Sequence, residues 1–242
     1  SGIRAIMLRT QLNHTTIGHV RCFSALAGLN ASSKAAKNIT VPKDKGQLKP
    51  LSQAQKAYLE RVIRVDQAGE LGADYIYRGQ IFVLSRRYPH LRPILNHMWE
   101  QEVHHRATFN ELQLKHRVRP SLITPLWKMG AIAMGAGTAL ISREAAMACT
   151  EAVETVIGGH YNEQLRVLNN QFEQEHLAGK GESIIPEEIK SLIDTIKEFR
   201  DQELEHLDTA IQNDSRMAVP YMIITEGIKN VCKLAVWTAE RI

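Results

Sequence analysis

Two copies of a Gln-Glu-x-x-His segment, Gln101 to His105 and Gln202 to His206, constrain this chain more than any other feature. On a helix, residues three apart share one face and lie one turn apart. A carboxylate and an imidazole placed this way can hold the same cation. The spacing alone is a weak signal. With 10 His among 242 residues, about one Glu-x-x-His is expected from composition. Three occur, at Glu102/His105, Glu173/His176 and Glu203/His206. Glu173/His176 runs straight into the stretch holding Gly179 and Gly181 and has no counterpart, so it reads as a solvated helix end.

The other two occupy equivalent places in an internal repeat. Glu70 is followed by Tyr77 at +7 and Gln80 at +10, and Glu154 by Tyr161 and Gln164 at the same offsets. Each then meets its Glu-x-x-His, 32 residues on at Glu102 and 49 residues on at Glu203. The added length falls in a polar, Gly-containing stretch, where insertions cost little. A duplicated helix pair predicts an all-α four-helix bundle with pseudo-symmetry, its two half-sites meeting in the core. The candidate metal ligands are Glu70, Glu102, His105, Glu154, Glu203 and His206. Glu154 lies beside Val153, Val156 and Ile157, where a buried carboxylate needs a cation. Four Glu and two His make an oxygen and nitrogen donor set without thiolate, which suits iron or manganese better than structural zinc.

Apolar patterning sets the helices. A first helix is expected from an N-cap at Ser52 to about Arg87, with Glu70 in its middle. Gly69 and Gly72 flank that Glu and each weaken the helix by about 1 kcal/mol against Ala. They mark a place where something approaches the backbone. A second helix runs from after Pro89 to about His116, and Pro120 and Pro125 then break the chain. A third runs from about Glu144 to Gln174, and a fourth from Pro186 to about Gln212. A last amphipathic helix follows Pro220, positioned to pack on the bundle or to share a membrane face.

Between the halves, Leu122 to Ile141 is the most apolar stretch, with Lys128 its only charge. Met129 to Ser142 is uncharged for 14 residues. As a helix it spans about 21 Å, short of a hydrocarbon core of about 30 Å. It reads either as a segment lying in or re-entering a membrane surface or as a Gly- and Ala-rich core helix.

The overall charge of +4 misleads. Residues 1–43 hold Arg4, Arg9, Arg21, Lys34, Lys37 and Lys43 and no acid, a charge of +6 that leaves −2 for the rest. The basicity belongs to the tail and is no argument for nucleic-acid binding. An acid-free tail rich in Arg, Ser, Thr and Ala reads as a mitochondrial transit peptide, with a linker over 44–51 and a single domain over 52–242. Cys22, Cys149 and Cys232 form no zinc or redox spacing, and Cys149 and Cys232 are expected to be core residues. The other His residues, His14, His19, His90, His97, His104 and His116, read as surface or helix-end groups, and His160 as a core-edge group.

Several segments carry a resemblance. They are Arg64-Val65-Asp66-Gln67-Ala68-Gly69-Glu70, Trp99 to His105, Arg117-Val118-Arg119-Pro120, Met134 to Ala139, Ala148 to Glu154, Phe199 to His206 and Ala239-Glu240-Arg241-Ile242. Together they resemble the mitochondrial demethoxyubiquinone hydroxylase family of coenzyme Q biosynthesis, over about residues 52–242. The resemblance implies a ferritin-like fold with two further membrane-facing helical segments. It implies two Fe ions per chain, bridged by Glu102 and Glu203, with Glu70 and His105 on one iron and Glu154 and His206 on the other. His160 and Tyr161 would pass electrons and protons between quinol and iron. This chain has Trp237 where many members have Tyr.

The implied reaction is hydroxylation of the demethoxyubiquinol ring with O2, with NADH as a reductant. The implied setting is peripheral, on the matrix side of the mitochondrial inner membrane. There, a lipid-binding protein of the coenzyme Q synthesis complex would deliver substrate. The competing reading from the same six ligands is a ferritin-like iron oxidation and storage protein. The apolar stretch and the basic tail weigh against it, since a storage cage needs neither.

Overall fold

Ser52 begins the first helix with a capping box. Its hydroxyl accepts from the Gln55 backbone N–H at 3.2 Å, and its own N–H donates to the Gln55 side chain at 2.8 Å. Two of the free N–H groups at the helix start are thereby satisfied. In this computed structural model residues 51–177 and 187–242 are described, and they fall within one unit, Gly46–Ile242. The tail over 1–43, most of the linker and Pro186 lie outside the described residues.

Six α-helices follow in order among the described residues: α1 Gln53–Arg87, α2 Arg92–Lys115, α3 Thr124–Ile141, α4 Arg143–Leu177, α5 Glu187–Gln212 and α6 Tyr221–Ala239. No strand occurs among the described residues. Their bounds lie within a few residues of those expected. Pro125 differs in role: it sits in the first turn of α3 and so starts a helix, where the missing N–H costs nothing.

The long pairs α1/α2 and α4/α5 form a ferritin-like four-helix bundle. α3 packs on α1 and α4, and α6 packs on α4 and α1. Two apolar clusters stabilise the bundle at its ends. One gathers Ile63, Phe109, Leu168, Ile196 and Phe199, the other Leu84, Leu95, Met98 and Met147, all buried. The six candidate ligands lie between these clusters, which fix the helices on both sides of them.

α3 approaches α1 backbone to backbone. A Cβ on Gly79 would stand 2.6 Å from the Ala136 nitrogen, and one on Gly135 would overlap the Ile76 carbonyl. Neither obstacle is a flexible side chain. Gly135→Ala is therefore expected to destabilise the fold by about 1–3 kcal/mol through overpacking. Thermal unfolding checks this, and an unchanged midpoint would show that α3 is free to move away.

α3 is not a buried core helix. Its Ala131, Gly135 and Ala139 face inward, while Leu126, Met129, Leu140 and Ile141 face outward, Met129 being 70% exposed. α6 likewise buries Thr225, Ile228 and Ala239 and exposes Met222, Ile223, Leu234 and Trp237. No helix among the described residues is long and apolar enough to cross a membrane. Arg64 of α1 donates to the Ala239 carbonyl at 2.9 Å and to that of Glu240 at 3.2 Å, satisfying carbonyls left free at the end of α6.

Candidate metal centre

Glu70 comes from α1, Glu102 and His105 from α2, Glu154 from α4, and Glu203 and His206 from α5. All six are buried, none more than 1% exposed. They form two overlapping groups. Glu70, Glu102, His105 and Glu203 make one, and Glu102, Glu154, Glu203 and His206 the other, with donor atoms within 4.8 Å of one another. Glu102 and Glu203 belong to both.

The oxygens of those two carboxylates are divided between the rings. Glu203 places Oε1 3.1 Å from His105 Nδ1 and Oε2 3.3 Å from His206 Nδ1. Glu102 places Oε1 3.1 Å from His206 Nδ1 and Oε2 4.0 Å from His105 Nδ1. Glu70 Oε2 lies 3.3 Å from His105 Nδ1. Yet both Nδ1 atoms, both oxygens of Glu102 and of Glu203, and one oxygen each of Glu70 and Glu154 have no aligned hydrogen bond. Close donors that fail to bond one another are what lone pairs aimed at shared points produce. Buried polar atoms are otherwise almost always satisfied. The residues therefore fit hard to borderline cations, with Glu102 and Glu203 available to both donor groups.

The electrostatics agree. Burial raises the carboxyls of Glu102 and Glu154 well above the usual carboxylate range, and the Glu203 charge adds to this. At Glu203 burial acts the same way, but the two imidazoles outweigh it and hold the group below that range. Burial pushes the His105 imidazole down, and the Glu70, Glu203 and Glu102 carboxylates overcome it and lift the ring to about 12. Four carboxylates in a water-poor core demand positive charge, which bound metal would supply.

The surrounding contacts cross between the halves of the chain. Tyr77 on α1 donates to Glu154 at 2.9 Å, and Tyr161 on α4 donates to Glu70. Gln80 donates to Thr150 at 3.1 Å, and Gln164 to Asp66 at 2.6 Å. Gln202 lies 2.6 Å from His105 Nε2, and Gln101 2.8 Å from His206 Nε2. Burial and nearby carboxylates raise both phenols well above the ordinary tyrosine value, so they remain donors. Asp74, one turn after Glu70, receives Arg78 and Trp99, each at 2.7 Å, and also Arg106 beside His105. That cluster ties α1 to α2 at the level of the ligands.

His160 sits at the edge of the core, 2.9 Å from Gln164 and 3.8 Å from Asp66, and burial lowers its pKa. Trp237 is 53% exposed, with the Arg241 guanidinium 4.2 Å over its ring. Cys149 is buried, while Cys232 is half-buried. The side chains of Glu173 and His176 lie outside the described residues. The contacts of Gln101, Gln202 and Tyr77 were not foreseen from the sequence, although all three stand at the repeated offsets.

An apolar cavity of about 240 Å³ lies between α1, α3, α4 and α6. Gly69, Gly72, Ala73, Val153, Met134 and Cys232 are among its walls. Gly69 and Gly72 leave open space, with nothing within 4 Å of where a Cβ would stand. Gly69 adjoins Glu70 and Val153 adjoins Glu154, so the cavity backs onto the ligand-bearing turns of both helices.

The family model described as "Ubiquinone biosynthesis protein COQ7" matches residues 57–239. The chain is 67% identical to a Saccharomyces cerevisiae protein named 5-demethoxyubiquinone hydroxylase, mitochondrial, covering 92% of this chain and 95% of that one. It is 43% identical to the mouse NADPH-dependent 3-demethoxyubiquinone 3-hydroxylase, mitochondrial, over 79% of this chain and 81% of the mouse protein. A Rhodospirillum rubrum protein named 3-demethoxyubiquinol 3-hydroxylase is 44% identical, over 77% of this chain and 79% of its own length. With the match spanning all six helices and every one of the six clustered carboxylates and imidazoles, this chain belongs to the COQ7 family of ubiquinone biosynthesis proteins.

Proposed function

We propose that the chain is a di-iron monooxygenase that hydroxylates the ring of demethoxyubiquinol with O2. The observation that carries this is the sharing of Glu102 and Glu203 between two imidazoles, directly behind an apolar cavity. The names of the relatives supply the substrate class. In this reading Glu70, Glu102, His105 and Glu203 would hold one iron and Glu102, Glu154, Glu203 and His206 the other, with Glu102 and Glu203 serving both. The iron pair, when bound, supplies binding and reductive activation of O2. The balance is one C–H, O2, two electrons and two protons giving C–OH and water.

The chain's own residues do the rest. The cavity walls exclude water and hold the ring against the Gly69-Glu70 turn. Tyr161 and Tyr77 keep Glu70 and Glu154 oriented by donating to them. His160, at the edge of the core, exchanges protons with solvent, and with Tyr161 serves the transfer of electrons and protons. The electrons come from a reduced nicotinamide nucleotide. The mouse relative's name specifies NADPH, whereas the family resemblance pointed to NADH. The outward apolar residues of α3 and α6 rest in the matrix face of the mitochondrial inner membrane, from which the polyprenyl substrate enters. A lipid-binding protein of the synthesis complex hands the substrate over. Residues 1–43 act as the import leader, 44–51 as a linker and 52–242 as the catalytic domain.

The reading is tested with iron-loaded protein and demethoxyubiquinol in vesicles, given reductant and ¹⁸O2. One labelled ring oxygen per product is expected. Absence of labelled product, or uptake of many irons per chain, would replace it with the storage reading.

A further inference from the structure

We propose that Gln101 and Gln202 are crossed positioning residues of the metal pair, each holding the imidazole supplied by the other half of the chain. This rests on the two-metal reading above. Gln202 Oε1 lies 2.6 Å from Nε2 of His105, and Gln101 Oε1 lies 2.8 Å from Nε2 of His206. An amide oxygen only accepts, so Nε2 carries the proton in both rings. Nδ1 is then the nitrogen left for the metal, and it is the atom that faces the shared carboxylates at 3.1 Å in both half-sites. The partner on the outer nitrogen selects which inner nitrogen can ligate, and at what angle.

The placement of α2 against α5 produces the crossing. Each Gln precedes its Glu by one residue, so it points about 100° around the helix from the ligand face. That direction leads to the seam between α2 and α5, where both glutamines are half-buried. The His of its own segment stands four residues on, on the same side of the helix, yet each Gln meets the ring across the seam. A half-site is therefore complete only when both Gln-Glu-x-x-His helices are in place.

The acceptor is also neutral. Four buried carboxylates already surround the two rings, and an amide holds the N–H without adding a fifth negative charge. Gln thus orients the ring at a lower electrostatic cost than Asp or Glu would.

The test is anaerobic titration of metal-free protein with Co(II), following heat and visible absorption. Gln202→Leu is expected to weaken one of the two metal equivalents by about 10- to 100-fold and leave the other as in the wild type. Gln101→Leu should weaken the complementary one. Paired with His105→Ala, Gln202→Leu should add nothing further to the loss, while with His206→Ala its effect should add in full. Gln101→Leu should show the reverse. Gln202→Glu keeps an acceptor and should restore the lost equivalent.

Leu is close to Gln in size, and thermal unfolding of the metal-free variants separates lost fold from lost orientation. Equal weakening of both ions, no weakening, or coupling of each Gln to the His of its own segment overturns the crossed positioning. Wild-type protein that takes up fewer than two ions overturns the metal-centre reading and this proposal with it.

Discussion

Glu203→Ala is expected to abolish hydroxylation and to release both metal ions. Glu203 belongs to both donor groups, with one oxygen 3.1 Å from His105 and the other 3.3 Å from His206. Glu70 belongs to only one donor group, so in the proposed centre its loss would remove one donor from one ion, whereas loss of Glu203 would remove one from each. Metal-borne charge stabilisation is worth several kcal/mol, so turnover should fall by about 10³-fold or more. Glu205→Ala, an exposed neighbour on the same helix, is the control and should leave turnover unchanged. Metal analysis of purified protein gives the decisive reading. Two irons held by the Ala variant with wild-type affinity would remove Glu203 from the centre.

Gly72→Leu is expected to separate stability from activity. Gly72 lines the apolar cavity and has nothing within 4 Å of its missing Cβ. In a helix interior, Leu is favoured over Gly by nearly 1 kcal/mol. Its Cβ meets nothing within 4 Å, so the melting temperature should rise by about 2–4 °C for a domain of this size. In the proposed function the same side chain occupies the space that the quinol ring would take. Displacing a reacting group by about 1 Å can cost about 10²-fold, and turnover should fall by at least that order. Metal content should stay as in the wild type. Gly137→Ala, on α3 and away from the cavity walls, gains helix propensity alone and should keep its turnover. Full turnover by a stabilised Gly72→Leu protein would show that the cavity is not the ring's route.

Together the two variants locate the reaction from opposite sides. One removes the cations and leaves the cavity, and the other fills the cavity and leaves the cations. A storage protein would suffer from the first and ignore the second.

The helices were legible because helical periodicity is local. Ser52, Pro125, Pro220 and the apolar spacing act within a turn or two of where they stand. The six clustered residues were legible for a related reason. Glu102 and His105 must share a helix face wherever the helix lies, and the same holds for Glu203 and His206. Their count alone was barely above chance, and the matching offsets from Glu70 and Glu154 made them a set. The glycines beside Glu70 both open onto the cavity, with nothing in the fold within 4 Å of either missing Cβ. For Leu122 to Ile141, composition left two readings level. Packing removed the buried-core reading by pressing Ala131, Gly135 and Ala139 onto α1 and turning Met129 and Leu140 outward.

What the sequence determined by itself, then, is which residues are helical, which faces they share and which six groups could meet. The tertiary structure alone decided how they meet. That Tyr161 reaches Glu70, that Tyr77 reaches Glu154, and that each Gln grips the opposite imidazole depend on the rotation and separation of helices far apart in the chain. The cavity depends on the same quantities, because its walls come from four helices. Spacing along one helix fixes angles about that helix only. Distances between helices follow from how close Gly79 and Gly135 let α1 and α3 come, and from how the two apolar end clusters pack.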